Sequence, residues 1–199
     1  MVSMETAEKK QRIRNAILER LQHLPPQTLA LESRLICKRL TELLPKKPLV
    51  LAAFFPLKTE PDIRPFLRSL LKNGAELYLP SSSSLPFLFR HITNLQELQI
   101  GRWNIPEPSE TSPPLAPKRL THALLPGRAF DRSGWRIGRG GAGYDLWIRQ
   151  QRRENPETIF FGITFECQIL PTLPHVEHDE RVDGIITARG LFSSKKLAS

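Results

Sequence analysis

The run Leu49-Val-Leu-Ala-Ala-Phe-Phe55 constrains the fold most. It is short, continuous and apolar, with no alternation of polar positions. That is the pattern of a β-strand buried on both faces, and such a strand belongs to a sheet with helices covering both sides. Pro45 and Pro48 bracket a turn ahead of it. Asp62 can cap a helix carrying Phe66, Leu67, Leu70 and Leu71 that stops at Gly74, and Leu77-Tyr-Leu79 follows as a second strand. Strand, helix, strand in that order argues for a parallel pair in an α/β sheet.

The flanking segments extend this pattern. Ile13, Ile17, Leu21 and Leu24 recur at helical steps and predict a helix from about Glu5 to Leu24, ended by Pro25-Pro26. Thr28 is the expected cap of a second helix reaching about Leu44, with Leu31, Leu35 and Leu43 facing inward. Downstream, strands are expected at Phe87–Ile92, Ala123–Leu125, Ile159–Phe165 and Val182–Thr187. Helices are expected at Leu95–Ile100 and Tyr144–Arg153, and irregular chain at Pro106–Pro117. The 199 residues contain no internal repeat and suit one domain spanning 1–199.

Charge narrows the partners without choosing among them. Lys and Arg number 29 against 20 Asp and Glu, a net charge of +9, which favours anionic ligands. The basic residues gather at Lys9–Arg14 and Arg128–Arg139 but form no block of consecutive like charges, as a nucleic-acid-binding tail would. No apolar run approaches the ~20 residues of a membrane span, and Met1–Arg14 lacks the apolar core of a signal peptide. The expectation is a soluble cytoplasmic monomer that engages neither membrane nor nucleic acid. Cys37 and Cys167 form no metal-ligand pattern and are expected to be reduced and structural.

The most informative stretch for chemistry runs from Pro126 to Asp145, with five glycines between Gly134 and Gly143. Glycines let backbone N–H groups approach an anion closely, and a helix starting near Tyr144 aims its positive end at the same place. Arg128, Arg132, Arg136 and Arg139 would suit a triphosphate or a carboxylate-rich ligand, although a solvated surface loop is the bland alternative. Gly138-x-Gly140-x-x-Gly143 formally fits the dinucleotide pattern. That pattern must sit directly between strand and helix, and here the expected strand ends at Leu125. The triphosphate P-loop pattern is absent.

Pro126-Gly-x-Ala-Phe-Asp131-x-x-Gly134-x-Arg136-Ile-Gly138-x-Gly140-x-x-x-Tyr144-Asp145 closely resembles the motif of the 5-formyltetrahydrofolate cyclo-ligase family. Other segments fall in that family's order: Lys10-x-x-Ile-Arg14, Phe55-Pro-Leu-Lys-Thr-Glu60-Pro-Asp-Ile-Arg-Pro65, Leu77-Tyr-Leu-Pro80 and Trp103-Asn-Ile-Pro-Glu107-Pro108. Gly162-Ile-x-Phe-Glu-Cys-Gln168, Leu173-Pro174 and His178-Asp179-x-x-Val182-Asp183 complete the series. The resemblance runs from about Lys10 to Thr187. It implies a three-layer α/β/α sandwich with a Rossmann-like mixed sheet. It also implies an ATP- and Mg2+-dependent enzyme acting on 5-formyltetrahydrofolate. In that reaction the formyl oxygen attacks the γ-phosphate of ATP, N10 traps the resulting iminium phosphate, and 5,10-methenyltetrahydrofolate, ADP and phosphate are released.

Position by position, the resemblance makes Lys10, Arg14, Arg136, Gly138, Arg139, Gly140, Gly141, Ala142, Gly143 and Tyr144 nucleotide-binding, with Arg136 and Tyr144 also catalytic. Phe55, Glu60, Trp103, Gly140 and Tyr144 fall on folate-side positions, and Asp145 and Asp179 on magnesium-associated carboxylates. A carboxylate can hold two N–H donors of a pterin, and magnesium takes hard oxygen ligands, so the residue types suit these places. Phe55 and Trp103 could equally be core residues, and Lys10 with Arg14 a solvated helix face. His122, His175 and His178 show no metal spacing.

The sequence departs from the family in four places. Ala142 stands for a glycine, Gly143 for an aromatic, Thr121 for an aspartate and Asn104 for a glycine. The expectation at the first two is re-registration, with Gly141 and Gly143 supplying the unusual dihedrals around Ala142. Two rival readings accompany the enzyme: a non-catalytic folate- or nucleotide-binding homologue, and a basic nucleic-acid-binding protein.

Overall fold

The computed structural model describes residues 2–45, 48–82, 84–101 and 104–193. Among the described residues the α-helices are α1 (Val2–His23), α2 (Pro26–Leu43), α3 (Arg64–Lys72) and α4 (Gly143–Glu154). The strands are β1 (Val50–Ala52), β2 (Glu76–Ser81), β3 (Leu88–Ile92), β4 (Gln99–Ile100), β5 (Pro106–Glu107) and β6 (His122–Pro126). After them come β7 (Ala129–Asp131), β8 (Arg136–Ile137), β9 (Ile159–Ile163), β10 (Ile169–Leu170), β11 (Gly184–Thr187) and β12 (Gly190–Ser193).

Seven strands form the main sheet in the order β12-β11-β9-β6-β1-β2-β3. The five central strands are parallel, with Leu51 opposite Leu77 and Ala52 opposite Ala123. The edges β3 and β12 are antiparallel. Consecutive residues of the apolar run point to opposite layers. Leu51 and Ala53 join Ile36, Leu40, Phe66 and Leu67 from α2 and α3. Val50 and Ala52 join Trp147 and Ile148 from α4. This is the α/β/α sandwich with a mixed sheet that the family resemblance implies. A second, three-stranded sheet, β10-β7-β8, receives α1 through Ile17 and Leu21, which meet Ala129, Ile137, Phe165 and Leu173.

From β1 the chain moves outward to β2 and β3, then returns to β6 on the other side of β1. The connections leaving β1 and β6 therefore diverge. In a doubly wound sheet that divergence opens a crevice beyond the carboxyl ends of the two strands.

Several local expectations are corrected. Pro25, not Thr28, is the N-cap of α2, with Pro26 occupying the first helical turn, where its missing N–H costs nothing. Leu31, Leu35 and Leu43 are exposed; Ser33, Ile36 and Leu40 face inward instead. Ser33 tolerates burial because its Oγ donates to Leu29 O and accepts from Asp62 N. The expected helix at Leu95–Ile100 is a single 3-10 turn followed by β4, and the glycine-rich stretch contains β7 and β8. Both cysteines are free. Among the described residues no helix is long and apolar enough to cross a membrane.

Candidate active site

A cavity of about 770 Å³ lies in the crevice beyond β1 and β6. That volume suits a ligand of drug size or larger. Its lining comes from the loop after β1, the stretch from β8 into α4 and the amino-terminal half of α1, joined by the connection after β2, by β5 and by the segment before β11. Ile17 and Leu21 fix α1 on the small sheet, and its preceding turns then extend along the cavity wall.

Lys10, Arg14, Phe55, Glu60, Arg136, Gly138, Arg139, Gly140, Gly141, Ala142, Gly143, Tyr144, Asp145 and Asp179 all line this one cavity. Trp103 lies outside the described residues. Arg14 Nε donates to Gly138 O at 2.8 Å, and Lys10 Nζ donates to Asp179 Oδ2. These contacts tie α1 to the glycine-rich loop and to the segment before β11.

Glu60 is buried, and its Oε2 accepts the Leu57 N–H at 3.0 Å. Burial pushes its carboxyl above the usual range, against the pull of the Leu57 N–H and of the Arg139 and Arg128 charges. The Tyr144 phenol is also raised, by burial first and by the nearby Glu60 charge second. Tyr144 therefore remains a neutral hydroxyl at physiological pH.

Arg136 is not a free loop arginine. It sits on β8, and its guanidinium donates to Asp145 Oδ1 at 2.9 Å and Pro126 O at 3.3 Å. Its Nε is buried with no hydrogen-bond partner among the described residues. Gly138 makes room for this side chain, since a Cβ there would lie 2.7 Å from an Arg136 terminal nitrogen. Arg128 instead donates to Thr59 Oγ1, and Arg132 stacks over Phe192.

The expected re-registration around Ala142 does not occur. Ala142 takes φ 52° and ψ −3° as the N-cap of α4, and Gly143 is the first helical residue. Neither Gly141 nor Gly143 has positive φ, whereas Gly140 has φ 107°. The backbone keeps its left-handed turn directly before the helix, so the residue at that position must adopt it whatever its side chain. The first N–H groups of α4 lack helical partners, as at any helix start, and lie at the cavity wall.

Asp145 Oδ1 accepts from Arg136 and from Glu180 N at 3.3 Å, and Asp179 Oδ2 accepts from Lys10 and from Val176 N at 2.7 Å. Each carboxylate retains a second oxygen that no hydrogen bond reaches among the described residues. The described residues contain no cluster of three or more His, Cys, Asp or Glu able to hold a metal ion. Asp145 and Asp179 are hard oxygen donors at the cavity and fit a site that supplies one or two carboxylates to a divalent cation.

Sequence reasoning assigned no site role to Phe87, Glu107 or His178, which also line the cavity. Buried Glu107 accepts Ser82 N at 2.9 Å and Ser82 Oγ at 2.6 Å, joining the ends of β5 and β2. Its place in the Asn-Ile-Pro-Glu-Pro segment was the available signal. Phe87 had none, because only folding brings it to position 143. Thr121 lies at the opposite end of β6. Its Oγ1 donates to Val50 O and accepts from Val50 N, so this departure concerns strand pairing and not the cavity.

A family model described as the 5-formyltetrahydrofolate cyclo-ligase family matches residues 6–188. The chain is 30% identical over 142 residues to a 5-formyltetrahydrofolate cyclo-ligase of Escherichia coli strain K12, covering 68% of this chain and 76% of that one. It is 27% identical over 149 residues to the Mus musculus protein of the same description, covering 68% and 71%. Its structure is similar to that of Aquifex aeolicus 5,10-methenyltetrahydrofolate synthetase, with a TM-score of 0.80, 26% identity and coverage of 96% and 95%. Matched along nearly its whole length in sequence and in fold, the chain belongs to the 5-formyltetrahydrofolate cyclo-ligase family.

Proposed function

We propose that this enzyme uses Mg-ATP to convert 5-formyltetrahydrofolate to 5,10-methenyltetrahydrofolate, releasing ADP and phosphate. The observation that carries this reading is that a single cavity joins a buried carboxylate, Glu60, to a set of phosphate-binding groups. Those groups are Lys10, Arg14, Arg139 and the backbone N–H groups that open α4.

Each residue has work suited to its surroundings. Glu60 accepts N–H donors from the pterin edge, and Phe55 packs against the ring. Lys10 and Arg14, one helical turn apart on α1, neutralise phosphate charge, as does the start of α4. Phosphoryl transfer depends chiefly on such positioning and neutralisation. Arg136 holds Asp145 in place from a buried position, so the carboxylate meets the cavity in one orientation. Tyr144, kept neutral, can donate a hydrogen bond to oxygen on either substrate. Asp145 and Asp179 would hold the magnesium ion, which when bound draws charge from the phosphates. Lys10 must then exchange its contact with Asp179 for one with phosphate. The proposal includes a soluble cytoplasmic monomer that binds neither nucleic acid nor membrane.

Purified protein incubated with 5-formyltetrahydrofolate and Mg-ATP is expected to accumulate the methenyl product, followed by its absorbance. Omitting ATP or adding a chelator should abolish the signal. Absence of product, with folate and ATP still bound, would instead support the non-catalytic reading that Ala142 motivates.

A further inference from the structure

We propose that Phe87 is the aromatic wall against which the substrate's pterin ring is held, and that Gly143 is a glycine in order to seat that ring. The inference rests on the folate reading of the cavity.

Phe87 stands at the end of the connection between β2 and β3, one residue before β3 begins, and it lines the cavity. It meets the Tyr144 ring edge-on, with centroids 5.0 Å apart and an interplanar angle of 77°. Its Cζ and Cε2 lie 2.6 and 2.7 Å from where a Cβ on Gly143 would be. No side chain at position 143 is compatible with Phe87 where it is. Backbone conformation does not explain this glycine, because Gly143 is an ordinary helical residue without positive φ. At this first helical position the glycine makes room for the Phe87 ring. The motif that Gly138–Asp145 resembles carries an aromatic here. In this chain the ring comes from a different segment, and the helix gives up its side chain to admit it.

Placement ties the pair to substrate fit. Phe87 packs edge-on against Tyr144, and Glu60 lines the same cavity. That cavity therefore offers both a ring face or edge and a carboxylate. A planar heteroaromatic with N–H donors along one edge is complementary to both. Lys10 and Arg14 enter the cavity from α1, where they contact Asp179 and Gly138. Phe87 is thus a specificity-determining residue for the folate and has no part in phosphoryl transfer.

The test is a two-by-two set: wild type, Phe87→Ala, Gly143→Ala and the double variant. Steady-state kinetics should show KM for 5-formyltetrahydrofolate rising about tenfold in Phe87→Ala, the scale of one lost aromatic contact. The kcat and the KM for ATP should stay near wild type. Gly143→Ala should raise the folate KM comparably by displacing the ring, and the double variant should be no worse than Phe87→Ala alone. Unchanged folate KM in Phe87→Ala, or additive effects in the double variant, would overturn the proposal. Calorimetric titration of 5-formyltetrahydrofolate into the same four proteins separates the two readings. Without wild-type turnover, a Phe87-dependent affinity sustains this proposal while the catalytic reading fails. With turnover and no Phe87 dependence, only this proposal fails. If Phe87→Ala does not fold, Phe87→Leu replaces it, and an unchanged folate affinity in that variant overturns the proposal equally.

Discussion

Ala142 carries the main backbone strain of the site. At φ 52° its Cβ crowds its own backbone, a cost of roughly 1–2 kcal/mol that a glycine avoids. Glycine gives back about 0.4–1 kcal/mol through the freedom of the unfolded chain. Ala142→Gly is therefore expected to stabilise the protein by a net ~0.5–1 kcal/mol, raising the Tm by roughly 1–4 °C. A urea titration checks this, and a lower midpoint would show that the turn is unstrained. Adding Gly143→Tyr to that variant should reverse the gain, because the new side chain meets Phe87. Asn104, at φ 58°, needs no such relief, since its short polar side chain tolerates the left-handed region.

At the scale of elements, α1 links fold and chemistry. Its carboxyl-terminal half is anchored by Ile17 and Leu21, while Lys10 and Arg14 reach the cavity wall. Lys10→Ala and Arg14→Ala are each expected to weaken ATP binding about tenfold or more, the worth of one charge-assisted contact. The circular dichroism should be unaltered, because the buried anchor remains. Titration calorimetry with ATP reads the change, and wild-type affinity in both variants would return these residues to the role of a helix surface. The sequence made the hydrophobic face of α1 readable but misassigned that of α2. Leucines at Leu31, Leu35 and Leu43 share a spacing that suggests burial. The packing of α2 on α3 and the sheet instead selects Ile36 and Leu40, with Ser33 admitted by its two hydrogen bonds. Spacing within one helix does not reveal which of its stripes a neighbour will cover.

For the whole molecule, the cavity sets stability against function. Burial raises the Glu60 carboxyl, so the folded state holds that proton more tightly than the unfolded chain. The group favours folding below its unfolded pKa, and this contribution is lost as pH rises through the raised folded value. Glu60→Gln removes the ionisation. Its urea midpoint should exceed that of wild type above the folded pKa and converge with it in acid, while folate affinity falls about tenfold. Superimposable pH profiles for the two proteins would show that Glu60 is not desolvated at a cost.

By itself the sequence determined the layered fold and the segments that build the cavity. An uninterrupted apolar run reads as a strand buried on both faces, and each motif segment carries its own residue types in a local order. The family resemblance assigned Lys10, Glu60 and Gly138–Asp145 to one site, and in the structure they line one cavity. Tertiary structure alone decided what depends on distances across the chain. The left-handed turn at Ala142 is imposed by where α4 must start, not by the glycines beside it. Glu107 became part of the cavity because β5 ends against Ser82. Phe87 and Gly143 lie far apart in sequence, and their mutual exclusion of volume exists only once α4 has packed over the β3 edge of the sheet.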